Sequence, residues 1–186
     1  METWLRNNEH TIKTLGILSA AVFTLFQYFG HINESRIQQT LILYKEFSSE
    51  PLLSARNSLL KEVEAWWPEI EKIPKPATPE SEMAQKKKWT EFVVGRVNSN
   101  TELVAQANTM LEFFDALQIC TENDICDEAS AQELLSVSAK ELMENFCPYI
   151  AYMRYVRNND TFANKANVFA GNACHVEIYK QFLLPK

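Results

Sequence analysis

The sequence predicts an all-α protein, with an N-terminal transmembrane helix followed by a compact antiparallel multi-helix domain. Only 4 of the 186 residues are glycine, which leaves few of the tight turns that β-hairpins need. Apolar residues recur about every three to four positions through most of the chain, the spacing of an amphipathic helix. The length suits one domain plus an anchor, because chains divide into several domains only beyond about 250 residues.

The anchor is predicted from the run between Thr14 and Gly30, which has no charged side chain and only Gln27 as a strongly polar one. A helix rises about 1.5 Å per residue, so this run covers most of a hydrocarbon core of about 30 Å. The alternatives are a cleavable signal peptide and a buried core helix. A signal peptide would need a small-x-small cleavage site after the run, and none is present. A buried core helix would usually show a polar stripe, whereas the residues from Leu15 to Phe26 are apolar or small on all sides.

We therefore predict two regions, an anchor at residues 1–33 that contacts the lipid bilayer through residues 14–30, and a helical domain at 34–186. Within the domain, four prolines between residues 68 and 79 predict a Pro-rich linker at 68–79. Helices are expected on both sides of this linker, with Pro51 ending the first and Pro68 the second.

Later helix starts are predicted from capping patterns. Thr78 precedes a proline at the first helical position, Ser99 and Glu102 have the spacing of a capping box, and Asp127 can cap the next helix. Pro148 is expected to kink or restart that helix. A last helix is predicted to carry the apolar residues from Phe162 to Phe182.

Charge and motifs exclude several functions. The 18 Lys and Arg against 24 Asp and Glu give a net charge of -6, which opposes binding to phosphate backbones, so no nucleic-acid partner is predicted. The cysteine and histidine spacings do not predict a metal site, and no cofactor motif occurs. Residues 122–128 form an acidic turn that lacks the central glycine of an EF-hand loop. We predict no catalytic residue and favour a protein that is not an enzyme.

The four cysteines, Cys120, Cys126, Cys147 and Cys174, are too few and too far apart for a disulfide framework, and we expect buried, reduced thiols. The basic residues flanking the anchor are balanced and indicate no orientation. Reduced thiols indicate that the helical domain lies in the cytoplasm, where disulfides are rare. The expected location is the cell inner membrane, with a single pass and a cytoplasmic helical domain.

The order of features resembles a known family. After the apolar helix come Ser54-Ala55-Arg56, then the run from Asn108 to Asp115 (NTMLEFFD), the acidic turn, and Pro148-Tyr149-Ile150 leading to Arg154. This pattern is similar to the bacterial single-pass helical proteins catalogued as domain of unknown function 4760. The resemblance covers most of the chain, and it implies no known reaction, cofactor or catalytic residue.

The function predicted first is a membrane-anchored module that binds another protein, as an accessory subunit of a membrane complex. Its candidate contact residues are aromatic, since aromatic residues dominate binding hot spots. They are Trp66, Trp67, Tyr152 and Tyr155. The alternative for each of them is packing in the core. The rival function is a membrane-bound enzyme or sensor with an anion pocket lined by Arg96, Arg154 and Arg157. The alternative for these arginines is an ion pair within the chain.

Overall fold

The computed structural model describes residues 9–70, 72 and 78–183, with the side chains of residues 9–17, 67 and 70 outside this description. The described residues form helices and no strand, which confirms the predicted all-α fold. In chain order the helices are α1 (Glu9–Phe47), α2 (Leu52–Ile70), α3 (Pro79–Asn98), α4 (Thr101–Glu122), α5 (Glu128–Arg157), α6 (Asn164–Phe169) and α7 (Val176–Lys180).

Helix α4 lies at the centre of the core. Its apolar stripe, predicted from the spacing of Leu103, Ala107, Met110, Leu111, Phe114 and Leu117, is buried along its whole length. It packs chiefly on α2 and α6, while α5 contacts α3, α6, α7 and the end of α1. The Phe114 ring stacks on Phe169 of α6 and lies 5.8 Å from the ring of Phe47 at the end of α1. Helices α1 and α6 are thus both packed against α4.

Helix α1 is continuous, but only its second half belongs to the core. Every residue from 18 to 35 is exposed, and burial begins at Arg36 and becomes complete at Thr40 and Phe47. The change falls close to the predicted boundary between residues 33 and 34. Within the described part of the chain, however, no helix is long and apolar enough to cross a membrane.

Two predicted helix starts are confirmed and one is wrong. Thr78 caps α3 by accepting a hydrogen bond from the Ser81 backbone amide, and Asp127 caps α5 by accepting one from Ser130. The predicted Ser99 cap is displaced by one residue. The Asn100 side chain instead accepts the hydrogen bond from the Leu103 backbone amide. An asparagine side-chain oxygen can cap a helix as well as a serine hydroxyl does.

Proline has less effect on the helices than predicted. Pro68 lies inside α2, which continues to Ile70 instead of ending at the proline. Pro148 lies inside α5, which runs to Arg157, so the helix does not restart there. A proline costs one backbone hydrogen bond, and burial of the surrounding side chains can offset that loss. Of the predicted linker at 68–79, residues 71 and 73–77 lie outside the described part of the chain.

The predicted single C-terminal helix is wrong. The segment forms two short helices, α6 and α7, separated by a turn in which Gly171 and Asn172 have positive φ angles of 68° and 60°. Glycine and asparagine tolerate this left-handed backbone better than other residues. The turn allows both short helices to pack on α5.

The expectation of four reduced thiols is also wrong. Cys120 pairs with Cys126 across the turn that follows α4, and Cys147 of α5 pairs with Cys174 before α7. The first pair forms because the turn brings the chain back on itself. The second pair is 27 residues apart and is brought together by packing of the C-terminal segment on α5, which spacing along the chain does not reveal.

Candidate functional site

The most prominent exposed surface is the N-terminal apolar segment, which we define as residues 18–32 of α1. Its large apolar side chains are more than one-third exposed, and Phe26 reaches 81%. The Thr24 hydroxyl donates to the Ala20 carbonyl of the same helix, 2.8 Å away, so this polar group does not depend on water. The side chains of residues 14–17, the start of the predicted lipid-contacting run, lie outside the described part of the chain.

The second half of α1 is fixed to the turn at the start of α5. Buried Thr40 accepts a hydrogen bond from the Asp127 backbone amide at 2.9 Å and donates to the Arg36 carbonyl at 3.0 Å. Arg36 also forms an ion pair with Asp124, with 2.8 Å between Nη2 and Oδ1. These contacts attach the second half of α1 to the start of α5.

The predicted contact aromatics have different environments. Trp66 is buried with 2% exposure among the rings of Trp89, Phe92 and Phe146, so the alternative of core packing applies to it. The side chain of Trp67 lies outside the described residues. Tyr152 is half-buried against the core.

Tyr155, by contrast, is 43% exposed near the C-terminal end of α5. It is followed by exposed Val156 and Arg157. We call these three residues the α5 C-terminal surface. The three side chains point in different directions around the end of the helix, and the Arg157 guanidinium lies over the ring of Phe162.

The three predicted arginines do not converge. The Arg96 guanidinium lies over the ring of Phe92, with 5.4 Å from Cζ to the ring centroid. Arg154 and Arg157 both contact Phe162, the first through a 2.9 Å hydrogen bond from Nε to the carbonyl and the second over the ring. Arg96 therefore borders the ring cluster around Trp66. The other two arginines lie at the C-terminal loop, which we define as residues 158–175 between α5 and α7, including α6.

Arg154 is mostly buried and acts within the structure. Burial lowers its pKa, while the negative charges of Asp160, Glu177 and Asp115 oppose that shift. Asp115 lies on the other side of the same loop. It accepts a 2.6 Å hydrogen bond from the backbone amide of Ala166, in the first turn of α6, where Ala163 offers no side-chain cap. Burial raises the pKa of Asp115, and the amide donors of Ala166 and Lys165 oppose the shift.

The residues that carried the family resemblance meet in space. The buried Tyr149 hydroxyl donates to Asn108 Oδ1 at 3.1 Å, which joins the Pro-Tyr-Ile stretch to the start of the long α4 motif. Asp115 ends that motif and Arg154 follows Pro148, and both hold the C-terminal loop. A family model, the domain of unknown function DUF4760, matches residues 14–170. The chain belongs to the DUF4760 family.

The DUF4760 match includes the N-terminal apolar segment, α1 to α5 and most of the C-terminal loop, so the segment and the helical domain belong to one family unit. No curated protein and no solved structure matches the chain. Among the residues that the structure describes, no group of three or more His, Cys, Asp or Glu side chains is arranged to hold a metal ion.

The DUF4760 domain has a cavity of about 230 Å³ between α2 and α5, with Met110 of α4 contributing to its wall. Its apolar wall includes Leu60 of α2 and Phe146 of α5. Its polar groups are Arg56 on one side and Ser138, Glu141 and Asn145 on the other. None of the three arginines predicted to line an anion pocket is among the described residues that line this cavity.

Arg56 is the cation that the sequence did not single out as a binding residue. Its helical spacing with Leu52 and Leu59 indicated only that it borders the apolar face of α2. In the structure its guanidinium lies over the Phe47 ring, 5.0 Å from the centroid, and its Nε is buried without an acceptor among the described residues. No sequence signal distinguishes Arg56 from the other arginines, because its missing acceptor is a property of the packing.

Proposed function

We propose that this DUF4760 protein is a membrane-attached interaction module. Residues 14–30 insert into a lipid bilayer as a single-pass anchor, and the helical domain binds another protein as an accessory subunit of a membrane complex. The observation that carries the proposal is the division of α1. Its second half is packed into the domain through Thr40 and Phe47, while its first half exposes large apolar side chains to the surroundings.

Lipid is the occupant that best matches the exposed segment. A contiguous exposed apolar surface is unfavourable in water, at about 25 cal/mol per Å². A single partner helix would cover one face, yet residues 14–30 contain no Asp, Glu, Lys, Arg or His side chain on any face. The Thr24 hydroxyl is also satisfied within the helix, as groups in a bilayer must be.

Membrane fractionation with a matched pair of variants tests the anchor. Val22 lies in the middle of the segment and is 63% exposed, while Val137 on α5 is 68% exposed. A central charge costs a spanning helix about 2.5–3.5 kcal/mol. We expect the full chain and Val137→Glu to stay with membranes in alkaline carbonate, and Val22→Glu to be released in part.

Release of the unaltered chain by carbonate would contradict the anchor. A carbonate-released chain that forms defined oligomers, which Val22→Glu dissociates, would instead identify a protein as the occupant of the segment.

For the partner we propose the α5 C-terminal surface. Tyrosine and arginine are enriched in the residues that contribute most to binding energy, and Tyr155 and Arg157 are two exposed residues of these types at the same end of α5. Predicted contact residue Tyr152 lies one turn of the helix before them, half-buried beneath this surface. The partner would thus meet α5 where the helix ends.

Affinity purification of the full chain in mild detergent tests this surface. The matched variants are Tyr155→Ala and Tyr44→Ala, whose tyrosines are 43% and 39% exposed. We expect a protein that copurifies in stoichiometric amount with the unaltered chain and with Tyr44→Ala, and is lost with Tyr155→Ala. Equal recovery with both variants would exclude the α5 C-terminal surface.

The cysteine pairing changes the proposed sidedness. The expectation of a cytoplasmic domain depended on reduced thiols, whereas disulfides form and persist mainly in oxidising compartments. We therefore propose that the domain faces the oxidising side of the membrane. Labelling of Lys72→Cys by an impermeant maleimide in intact cells checks this, because Lys72 is exposed. Labelling only after cell lysis would return the domain to the cytoplasm.

The rival function, an enzyme or sensor with a pocket lined by Arg96, Arg154 and Arg157, receives no support from the geometry. Two of these side chains hold the C-terminal loop and the third lies on an aromatic cluster. A ligand role for arginine fits a different place in the molecule, the cavity beside Arg56.

A further inference from the structure

We propose that the cavity between α2 and α5 binds a small carboxylate with an apolar tail, with the Arg56 guanidinium holding the carboxylate and the apolar wall holding the tail. This inference concerns the helical domain itself and does not depend on the membrane anchor or on the protein partner. It requires a cation with free donors, a cavity of suitable size and walls that match the two ends of the ligand.

The first requirement is met by Arg56. The face of the Phe47 ring supports the guanidinium on one side. Nε is buried without an acceptor, and no described carboxylate lies within ion-pair distance of this arginine, in contrast to Arg36 and its partner Asp124. The two Nη groups, which make no hydrogen bond or ion pair with a described residue, are the donors available to a ligand in the cavity. Arginine also presents two parallel N–H groups in the geometry that a carboxylate accepts.

The second requirement is met by the volume and the wall. The cavity of about 230 Å³ has room for about eight water-sized groups, at about 30 Å³ each. This corresponds to a carboxylate with a short alkyl chain such as hexanoate. Leu60, Val63 and Leu142 provide aliphatic contacts along the wall, and Phe146 adds an aromatic ring to it. An apolar tail placed there would displace water from apolar surface.

The opposite polar wall affects selectivity. Exposed Glu141 lies at the rim and repels a second negative charge, which disfavours phosphates and dicarboxylates. Half-buried Asn145 offers both a donor and an acceptor, and neither is used by a described residue. The site therefore suits one carboxylate better than a group of higher charge.

Equilibrium dialysis of radiolabelled hexanoate against the full chain in mild detergent tests the proposal, with detergent alone measuring partition into micelles. We expect saturable binding to the protein, weakened about tenfold or more when the neutral isostere hexanamide is used, because a charge-assisted hydrogen bond is lost. Arg56→Gln should abolish saturable binding. Arg96→Gln is the matched control, since that arginine also lies over a phenylalanine ring but outside the cavity, and it should bind as the unaltered chain does.

A second variant guards against loss of folding in Arg56→Gln. Exposed Glu141→Gln should leave the fold intact and strengthen hexanoate binding about twofold, because one screened negative charge leaves the rim. Saturable binding that is indifferent to Arg56→Gln, or equal binding of hexanoate and hexanamide, would overturn the proposal. So would the absence of saturable binding to the unaltered chain, or weaker binding by Glu141→Gln.

Discussion

Individual polar side chains hold the C-terminal loop of this protein in place. Asp115 accepts a hydrogen bond from the Ala166 backbone amide in the first turn of α6, and Arg154 donates one to the Phe162 carbonyl. Asn167 makes a pair of hydrogen bonds with the backbone of Cys174. The family motif places Asp115 and Arg154 on two different helices, and their shared target is a loop whose backbone groups would otherwise lack partners. Both side chains therefore position this part of the backbone.

The carboxyl of Asp115 provides a prediction at the residue scale. Its folded pKa is raised above the ordinary 3.8 chiefly by burial. The folded state then binds more protons than the unfolded state between the two pKa values, so this group stabilises the fold below pH 3.8 and the contribution is lost as the pH rises through the folded pKa. We expect the stability of the unaltered chain, relative to Asp115→Asn, to fall over that range.

Urea melts of both proteins from pH 3 to pH 7 measure this difference. Asp127→Asn is the control, because hydrogen bonds from Ser130 lower the pKa of Asp127 and the relative stability should change in the opposite direction. A relative stability of Asp115→Asn that does not vary with pH would contradict the raised pKa.

At the scale of elements, α1 is attached to α5 by one buried hydroxyl. Thr40 is fully buried, and its Oγ1 satisfies the Asp127 amide immediately before α5 begins. The ion pair between Arg36 and Asp124 lies nearer the surface and contributes less, because exposed ion pairs are worth about 0–1 kcal/mol. Helix α1 is therefore held mainly by Thr40 and by the packing of Phe47.

Replacing Thr40 with valine, which has nearly the same shape, should leave the Asp127 amide buried without an acceptor. We expect the free energy of unfolding to fall by about 1–3 kcal/mol, and amide exchange at Asp127 to become faster. Thr109→Val is the matched control, because the Thr109 hydroxyl is exposed and bonds only to the Ala105 carbonyl of its own helix. An unchanged melt for Thr40→Val would show that packing alone holds α1.

The two disulfides differ in how they connect elements. The Cys120–Cys126 pair closes a short turn, whereas Cys147–Cys174 ties the middle of α5 to the segment before α7, with separations of 6 and 27 residues. Closing a longer loop removes more entropy from the unfolded chain, which predicts about 2 kcal/mol for the first pair and about 3–4 kcal/mol for the second.

Paired replacement by serine checks this order in oxidised protein. We expect Cys147→Ser with Cys174→Ser to lower the denaturation midpoint further than Cys120→Ser with Cys126→Ser does. A reductant should remove the difference between each variant and the unaltered chain. The reverse order would indicate that the chain-entropy argument does not apply here.

For the whole molecule, the change of environment along α1 indicates which part folds independently. The core uses residues from Arg36 onward, and residues 18–35 make no buried contact with it. A chain beginning at Glu34 should therefore keep the melting temperature of the full-length protein. A chain beginning at Ser48 lacks Thr40 and Phe47, and we expect it to be less stable by at least about 3 kcal/mol, as for loss of a buried aromatic ring.

Thermal melts monitored by circular dichroism compare the two shortened chains. Equal melting temperatures would show that the second half of α1 adds nothing to the core. A chain beginning at Glu34 that fails to fold would show instead that the exposed segment supports the domain.

The sequence by itself determined the features that depend on neighbours a few residues away. The all-α class, the buried stripe of α4 and the caps at Thr78 and Asp127 follow from helical spacing and from hydrogen bonds over three residues. The apolar character of residues 14–30 is likewise local. The wrong prediction of Ser99 as the cap of α4 also concerns neighbouring residues only, because Ser99 and Asn100 are adjacent polar residues and either could cap the helix.

Only the tertiary structure decided which distant groups meet. Cys147 and Cys174 pair because packing brings their Cα atoms within 5.2 Å, and no spacing rule connects residues that far apart. Trp66 became a core residue and Arg56 a cation beside a cavity for the same reason, since burial and missing partners depend on several helices together. Helical periodicity shows which face of α2 turns inward, but the neighbours of that face are set by the path of the whole chain.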